Sequence, residues 1–408
     1  MLFRIDECKA GRELMGRLHA VVASAAHPES PAGDTWVSVA LSYQGLKALG
    51  VPQASLDSFS VEFRQGMAAR AKALGDVGEN GPEHWEKPLG STDVHLVITA
   101  LAPDSRRLES VLQPARKTYE GLAGVSAIWR QDCHALPDEK EPFGFKDGIS
   151  HPAIEGSGTP GSNPNEDPLK AGEFVLGYPD EMGKSPSVPQ PAILGRNGSY
   201  VAFRKLRQRV AEFRRYVKAN SASCEGEELL AAKMMGRWRS GTPLALCPTH
   251  DDLEIGTDPR RNNVFLFGDD PIGYKTPAGS HIRRMNPRDS RVAGVVRIHR
   301  MIRRGTSYGP PLPDGVLEDD GGDRGLMFAF VGAHLGRQFE FVQSEWMNNG
   351  DFFGGNSAKD AVAGANEGAG TFDIPNRPLR RRLQGLTRFV VTRGASIAFF
   401  QGCARCGG

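Results

Sequence analysis

Hydrophobic residues alternate with polar ones in four short segments of the first third of the chain, which predicts β-strands. Apolar residues recur at helical spacing in two places: after the first of these segments and after the third. The predicted strands are "LFRID" (2–6), "TWVSVALS" (35–42), "DVHLVITALA" (93–102) and "VSAIWRQDC" (125–133), with helices over 11–25 and 105–124. Strand–helix–strand, repeated, is the order of a ferredoxin-like α+β unit.

The middle of the chain has a different pattern. A segment rich in Gly, Pro and Asn (155–173) predicts a long loop that connects units or covers a site. A basic helix is predicted at 202–219, with its apolar residues along one side: Phe203, Leu206, Val210, Phe213 and Val217.

The last third repeats the element order of the first. Strands are predicted over 293–305, 325–333 and 387–400, with a helix over 336–350 between the second and third of them. We therefore predict an α+β fold of two units, each with the ferredoxin-like element order. The expected division is an N-terminal domain at 1–150, a connector with the basic helix at 151–230, and a C-terminal domain at 231–408.

Composition narrows the classes of partner. The 408 residues are 39% hydrophobic and 24% charged, with a net charge of +2, which is ordinary for a globular protein and disfavours a nucleic-acid partner. We expect no membrane partner, because no stretch approaches the roughly 18 apolar residues of a spanning helix. The N-terminus has no secretory pattern and the six cysteines are scattered, so a cytoplasmic location is predicted.

Asp147 lies in "GFKDGIS" (144–150), between Lys146 and Gly148 and shortly before His151. A carboxylate in such a permissive backbone has three possible roles: it can cap a helix, bind a metal or move a proton. The residue alone does not choose among them.

Imidazoles and guanidiniums cluster over 278–309. His299 falls within a predicted strand, where a packed structural histidine is the more common outcome. His281 follows a loop and could bind a metal. Arg303 and Arg304 end the same strand, and because neighbouring strand residues face opposite ways, only one of them can point into a given pocket. A guanidinium there would stabilise a developing negative charge.

Taken in order, "FGFKDGIS", "HPAIEG", "SHIRRMNPRD" and "IRRGTSYG" resemble the dye-decolorizing peroxidase family of haem enzymes. The resemblance covers nearly the whole chain and includes the Gly-x-x-Asp-Gly motif of that family, here Gly144, Asp147 and Gly148. The long loops are most similar to the larger, fungal- and cyanobacterial-type members.

The resemblance implies two ferredoxin-like domains with antiparallel sheets, similar to a dimeric α+β barrel. It also implies a haem b in the C-terminal domain, with His281 as the proximal iron ligand. It implies Asp147 as the distal acid/base and Arg303 as the distal arginine, with Arg304 as the other candidate for the cofactor pocket. Leu326 and Phe328 are similar to the apolar residues that narrow the distal side. The expected reaction is reduction of hydrogen peroxide and oxidation of bulky aromatic donors such as dyes or phenols, and a homo-oligomer is possible.

Bulky donors cannot enter a narrow haem pocket, so electrons would have to leave through the protein. Tyr308 and Trp346 are candidates for this relay, although most buried aromatic residues only support the core. One alternative function is haem transport, storage or sensing, and another is a scaffold without haem. Cys403 and Cys406 form a terminal C-x-x-C, for which a flexible tail, a disulfide and a metal site are the alternatives.

Overall fold

The β-strands account for the hydrophobic alternation in both halves of the chain. The computed structural model describes residues 1–23, 34–291, 294–352 and 358–402. In these ranges the strands are β1 (Leu2–Ile5), β2 (Trp36–Leu41), β3 (Leu96–Leu101), β4 (Val125–Trp129), β5 (Ser199–Gln208), β6 (Ile302–Tyr308), β7 (Gly325–Gly332), β8 (Gly370–Ile374), β9 (Arg381–Leu386) and β10 (Val390–Phe400).

The helices of the same ranges are mostly short. They are α1 (Cys8–Leu18), α2 (Tyr43–Ala48), α3 (Gln53–Asp57), α4 (Val61–Ala69), α5 (Ala71–Leu74), α6 (Ser105–Tyr119), α7 (Ala192–Gly195), α8 (Val210–Ala219), α9 (Cys224–Met235), α10 (Leu253–Thr257) and α11 (His281–Met285). Two π-helical segments, Leu335–Glu340 and Val342–Met347, follow β7.

Eight strands form one antiparallel sheet in the order β4-β1-β3-β2-β10-β5-β7-β6. The four N-terminal strands lie in the spatial order fourth, first, third, second. The strands β5, β6, β7 and β10 repeat that order, so each half has the ferredoxin-like arrangement. The halves join where Phe399 of β10 pairs with Leu41 of β2. The predicted α+β fold of two ferredoxin-like units is confirmed.

The sheet curls until its two ends approach each other. The backbone N–H of His134, which follows the edge strand β4, donates to the carbonyl of Ser307 in the opposite edge strand β6 (2.8 Å). Apolar side chains from β1, β2, β5 and β10 share one cluster on a face of this sheet, and Trp129 and Met327 pack against it. A second and larger core packs helices α1, α4 and α6 and the π-helical region against the sheet.

Two predicted elements are wrong. The helix predicted at 202–219 begins only at Val210, because 202–208 belong to β5. Most residues of β5 are buried whichever way they point, among them Arg204 and Lys205, so the strand has no alternation to distinguish it from a helix. The strand predicted over 293–305 starts at Ile302, and a 3-10 turn (Val296–His299) precedes it.

The helix predicted over 336–350 is present but has π-helical hydrogen bonding. The division of the chain at residues 150 and 230 stays a prediction, and β5, the first strand of the second half, falls inside the range predicted as a connector. Cys403 and Cys406 lie outside the described residues.

Candidate active site

A cavity of about 580 Å³ lies on one face of the C-terminal part of the sheet, with the 139–151 loop, α11 and β6 among its walls. Its volume is typical of a small-molecule or cofactor site. All six residues predicted for catalysis or cofactor binding border it: Asp147, His281, Arg303, Arg304, Leu326 and Phe328.

His281 begins α11, and a buried carboxylate orients its ring. Nδ1 lies 2.8 Å from Oδ2 of Asp360. Asp360 is fully buried, and its other oxygen accepts from the backbone N–H groups of Val362 and Ala363 (2.8 Å each). Because Asp360 can only accept in its ionised form, Nδ1 donates and the lone pair of Nε2 is left for a metal.

His281 and Asp360 each shift the pKa of the other so that the charged form is favoured. Burial alone lowers the pKa of His281, but the facing carboxylate of Asp360 outweighs it and the pKa is raised. Burial alone raises the pKa of Asp360, yet His281 and the two backbone donors lower it overall. The pair is therefore held as a donor imidazole against an anionic carboxylate.

Two glycines shape the loop that presents Asp147. Gly144 and Gly148 have φ of +93° and +74°, a region that residues with a Cβ rarely adopt. A Cβ on Gly144 would also lie 2.8 Å from a guanidinium nitrogen of Arg239. The N–H of Asp147 donates to the carbonyl of Glu139 (3.0 Å), and its Oδ1 accepts from the N–H of Gly148 (2.7 Å). The exposed carboxylate thus keeps Oδ2 available to the cavity.

Glu141, which sequence reasoning missed, fixes the start of that loop by hydrogen bonds. Its Oε1 accepts from the N–H of Phe145 (2.9 Å). Its Oε2 accepts from the N–H of Phe143 (3.0 Å) and from Nε2 of Gln208 at the end of β5 (2.6 Å). Burial raises the pKa of Glu141 to about 7 despite these donors. The only sequence signal is its place three residues before Gly144.

The two neighbouring arginines of β6 have different surroundings. Arg303 is half-buried, and its Nη2 donates to the carbonyl of Ser150 (3.2 Å), in the same loop as Asp147. Arg304 is exposed, with Nη1 3.3 Å from Nε2 of His151. Burial lowers the pKa of His151 to about 4, and both guanidiniums add to the effect, so His151 is neutral near pH 7.

Alternate residues of β7 form the apolar wall. Leu326 and Phe328 line the cavity, whereas Met327 packs against the apolar cluster on the other face of the sheet. Phe330 shares the face of Leu326 and Phe328 but is fully buried in the main core and is not part of the wall.

The two relay candidates are buried away from the cavity surface. Tyr308 and Trp346 are 1% and 0% exposed, and neither lines the cavity. The hydroxyl of Tyr308 donates to Oδ1 of Asp323 (3.2 Å). Trp346 meets His299 and Phe341 edge-on, at centroid distances of 5.2 and 5.7 Å. His299 itself stacks on Phe341 at 3.9 Å, so it is a packed histidine.

The residues around the cavity fit a haem. The imidazole of His281, with Nδ1 on Asp360 and Nε2 left for a metal, suits an iron whose other ligands come from a porphyrin. Across the described ranges, no group of three or more His, Cys, Asp or Glu side chains could bind a metal ion. Arg237, which is buried, and Arg288, which is partly buried, also border the cavity. Among the described residues, both donate only to carbonyl and amide oxygens. Such cations favour an anionic group beside them, as the carboxylates of haem would be.

Comparison with known proteins agrees with this geometry. The family model of the DyP dimeric alpha+beta barrel domain matches residues 17–126. Peroxidase 2 of Mycetinis scorodonius is 35% identical over 397 residues, covering 90% of this chain and 74% of its own length. The dye-decolorizing peroxidase of Exidia glandulosa is 31% identical over 388 residues, covering 89% of this chain and 73% of its own. The chain belongs to the dye-decolorizing peroxidase family.

Solved structures of the family share the whole fold. A dye-decolorizing peroxidase in complex with 2,6-dimethoxyphenol aligns with a TM-score of 0.84 and 28% identity, covering 98% of this chain and 92% of that one. As a dye-decolorizing peroxidase, the protein is a haem-dependent oxidoreductase. No helix within the described residues has the length and apolar character needed to cross a membrane.

Proposed function

We propose that the protein binds haem b, reduces hydrogen peroxide and oxidises bulky aromatic donors such as dyes and phenols. The observation that carries this proposal is that Asp147, Arg303 and His281 border one cavity. The complex of a related peroxidase with 2,6-dimethoxyphenol supports phenols as one class of donor. Transport, storage or sensing of haem would need His281 but not Asp147 and Arg303 together.

His281 would hold the iron through Nε2, and Asp360 would keep the ring oriented through Nδ1. Arg237 and Arg288 would face the carboxylates of the porphyrin, and Arg304 would border the same pocket. When bound, haem supplies a redox-active iron that accepts peroxide and then takes up electrons one at a time.

Asp147 would act as the distal acid/base. Cleavage of the O–O bond requires a proton to pass from one peroxide oxygen to the other. Asp147 can carry it on Oδ2, since Oδ1 is bonded to the N–H of Gly148. Arg303, fixed by Ser150, would place a permanent positive charge beside the separating negative charge. Leu326 and Phe328 would narrow the approach and admit only small molecules.

Electrons from donors too large for the pocket would pass from the protein surface to the cavity through buried aromatic residues, for which we propose Tyr308 and Trp346. The homo-oligomeric state and the cytoplasmic location stay predictions; the first is tested by light scattering of the purified protein and the second by fractionation of the source cells.

The test is a stopped-flow absorbance measurement on the haem-loaded protein after one equivalent of hydrogen peroxide. We expect the Soret band of the wild-type protein to change within milliseconds, and Asp147→Asn to retain haem but react at least 100-fold more slowly. A wild-type protein that does not react, or an Asp147→Asn variant that reacts as fast as the wild type, would contradict the proposal.

A further inference from the structure

Because Tyr308 and Trp346 are buried, the proposed electron path has no residue at the protein surface. At 1% and 0% exposure, neither side chain can touch a bulky donor. Electron transfer from such a donor therefore needs another oxidisable side chain that reaches the surface and is connected to one of these two.

A continuous chain of polar contacts runs from Tyr308 to Trp129. The Tyr308 hydroxyl donates to Oδ1 of Asp323 (3.2 Å), and Oδ2 of Asp323 lies 2.8 Å from Nζ of Lys205. Nζ of Lys205 donates to Oε2 of Glu86 (2.6 Å), and Oε1 of Glu86 accepts from Nε1 of Trp129 (2.7 Å). Each of the two oxidisable groups thus has its own carboxylate, and one ammonium joins the carboxylates.

The two ends of this chain differ in exposure. Tyr308 directly follows Ser307, a residue of the cavity wall. Trp129 is partly exposed at the end of the edge strand β4. Between them Lys205 is only 4% exposed and also lies 4.8 Å from the centre of the Tyr308 ring. The chain therefore connects the vicinity of the cavity with the protein surface.

Three more exposed Trp and Tyr side chains have no carboxylate as a hydrogen-bond partner among the described residues. Trp36, Tyr178 and Tyr274 are 50%, 38% and 39% exposed. The Tyr178 hydroxyl donates to the amide oxygen of Asn197, and the Tyr274 hydroxyl accepts from Arg377. In the described part of the chain, no carboxylate accepts a hydrogen bond from Trp36, Tyr178 or Tyr274.

We infer that Trp129 is the surface site at which bulky aromatic donors are oxidised, with Asp323 and Glu86 as the proton acceptors of Tyr308 and Trp129. The inference rests on the proposed peroxidase function, which supplies the oxidant. It adds the surface residue at which electrons enter the path and the groups that move protons along it.

The steps balance in electrons and protons. Tyr308 gives one electron to the peroxide-oxidised cofactor and its hydroxyl proton to Asp323, which leaves a neutral tyrosyl radical. Trp129 then gives one electron to that radical while Asp323 returns the proton, and the indole proton of Trp129 passes to Glu86. Finally the donor gives one electron to Trp129, and Glu86 returns its proton. One electron has crossed, and the relay is restored.

Proton transfer is required because Tyr308 is held as a phenol. Burial and the neighbouring Asp323 both raise its pKa. An electron lost without the proton would leave an unsolvated cation in the core, which is costly. The acceptor carboxylates avoid that charge, and Lys205 between them offsets part of their own negative charge.

The first experiment locates the radical. Haem-loaded protein is mixed with one equivalent of peroxide without donor, frozen within milliseconds and measured by electron paramagnetic resonance; a nitroso spin trap followed by peptide mass spectrometry identifies the residue. We expect a tryptophanyl signal and an adduct at Trp129 in the wild type. Trp129→Phe should lose both and leave a tyrosyl signal, and Tyr308→Phe should prevent the Trp129 adduct.

The second experiment measures oxidation of an anthraquinone dye, with the Soret change recorded in the same samples. Relative to the peroxide step of the same variant, Trp129→Phe should lower kcat/KM for the dye at least tenfold, and Glu86→Gln should slow formation of the Trp129 adduct. Trp36→Phe, which alters a more exposed tryptophan without a carboxylate partner, is the matched control and should match the wild type.

A radical adduct that forms elsewhere while the peroxide step is normal, or equal dye oxidation in Trp129→Phe and wild type, would overturn this inference and leave the proposed function standing. Absence of any Soret change in the wild type would overturn both.

Discussion

Glu141 lies at the start of the loop that carries Asp147, and its buried carboxylate accepts three hydrogen bonds. The donors favour the ionised form, whereas burial favours the protonated form. Burial prevails, because the pKa is raised from the ordinary 4.5 to about 7. The folded state therefore binds a proton on Glu141 between these values that the unfolded state does not bind.

This shift predicts a pH-dependent stability. The contribution of protonated Glu141 is fully present below about pH 4.5 and is lost as the pH rises through about 7. Glu141→Gln lacks the titration, so the unfolding free energy of the wild type minus that of the variant should fall by on the order of 3 kcal/mol between pH 4 and pH 8. Urea denaturation at both pH values measures it, and a constant difference would contradict the assignment.

Arg303 and Arg304 provide a matched pair of variants. Arg303 is half-buried and shares the Asp147 loop through Ser150, whereas Arg304 is exposed. Arg303→Leu should slow the stopped-flow peroxide step by about 100-fold, and Arg304→Leu should change it much less, because solvent screens an exposed charge. The opposite ranking would show that Arg304 is the distal arginine.

Sequence motifs predicted the residues that border the cavity but not those that hold them in place. Asp147, His281 and Arg303 stand in short recognisable motifs. Asp360 lies 79 residues from His281 in a stretch of small residues, where nothing local marks a partner for an imidazole. Glu141, Arg237 and Arg288 act through burial and long-range contacts, which only the folded chain defines.

At the scale of elements, the strand predictions succeeded in the first third of the chain. The segments predicted as the first four strands contain β1 to β4 in the expected order. The pattern failed at β5, because Arg204 and Lys205 are buried charged residues whose partners come from other parts of the chain: Asp76 for Arg204, and Glu86 and Asp323 for Lys205. A hydrophobicity pattern treats both as exposed, and the alternation is lost.

The pair Arg204–Asp76 ties β5 to the segment after α5, and Thr392 of β10 also donates to Asp76 (3.2 Å). The side chains of Arg204 and Asp76 are 4% and 1% exposed. Asp76→Asn would leave the guanidinium without its counter-charge, so we expect a loss of about 3–5 kcal/mol in the free energy of unfolding, measured by urea denaturation.

The exposed pair Arg107–Asp34 is the control for that variant. Its nitrogen and oxygen are 3.4 Å apart, but the side chains are 57% and 66% exposed. Asp34→Asn should therefore cost at most about 1 kcal/mol. Similar losses in the two variants would mean that the Arg204–Asp76 pair does not stabilise the connection between the halves.

On the scale of the whole molecule, the cavity draws on parts of the chain that are far apart in sequence. Its walls include Asp76 and Asp147 from the first 150 residues and His281 and Arg303 from the second half. A ligand that fills the cavity contacts all of these segments only in the folded state. Binding must therefore stabilise the protein as a whole, by about 2.7 kcal/mol when free ligand is 100 times its dissociation constant.

Haem should thus raise the melting temperature by a few degrees. The measurement is differential scanning fluorimetry of haem-free protein, prepared from haem-depleted cells, before and after titration with haem. His281→Ala should reduce the shift, because the iron loses its axial ligand, whereas His84→Ala, which alters a histidine that is 55% exposed, should leave it intact. The same shift in both variants would mean that His281 contributes nothing to binding, and no shift in the wild type would mean that haem does not occupy the cavity.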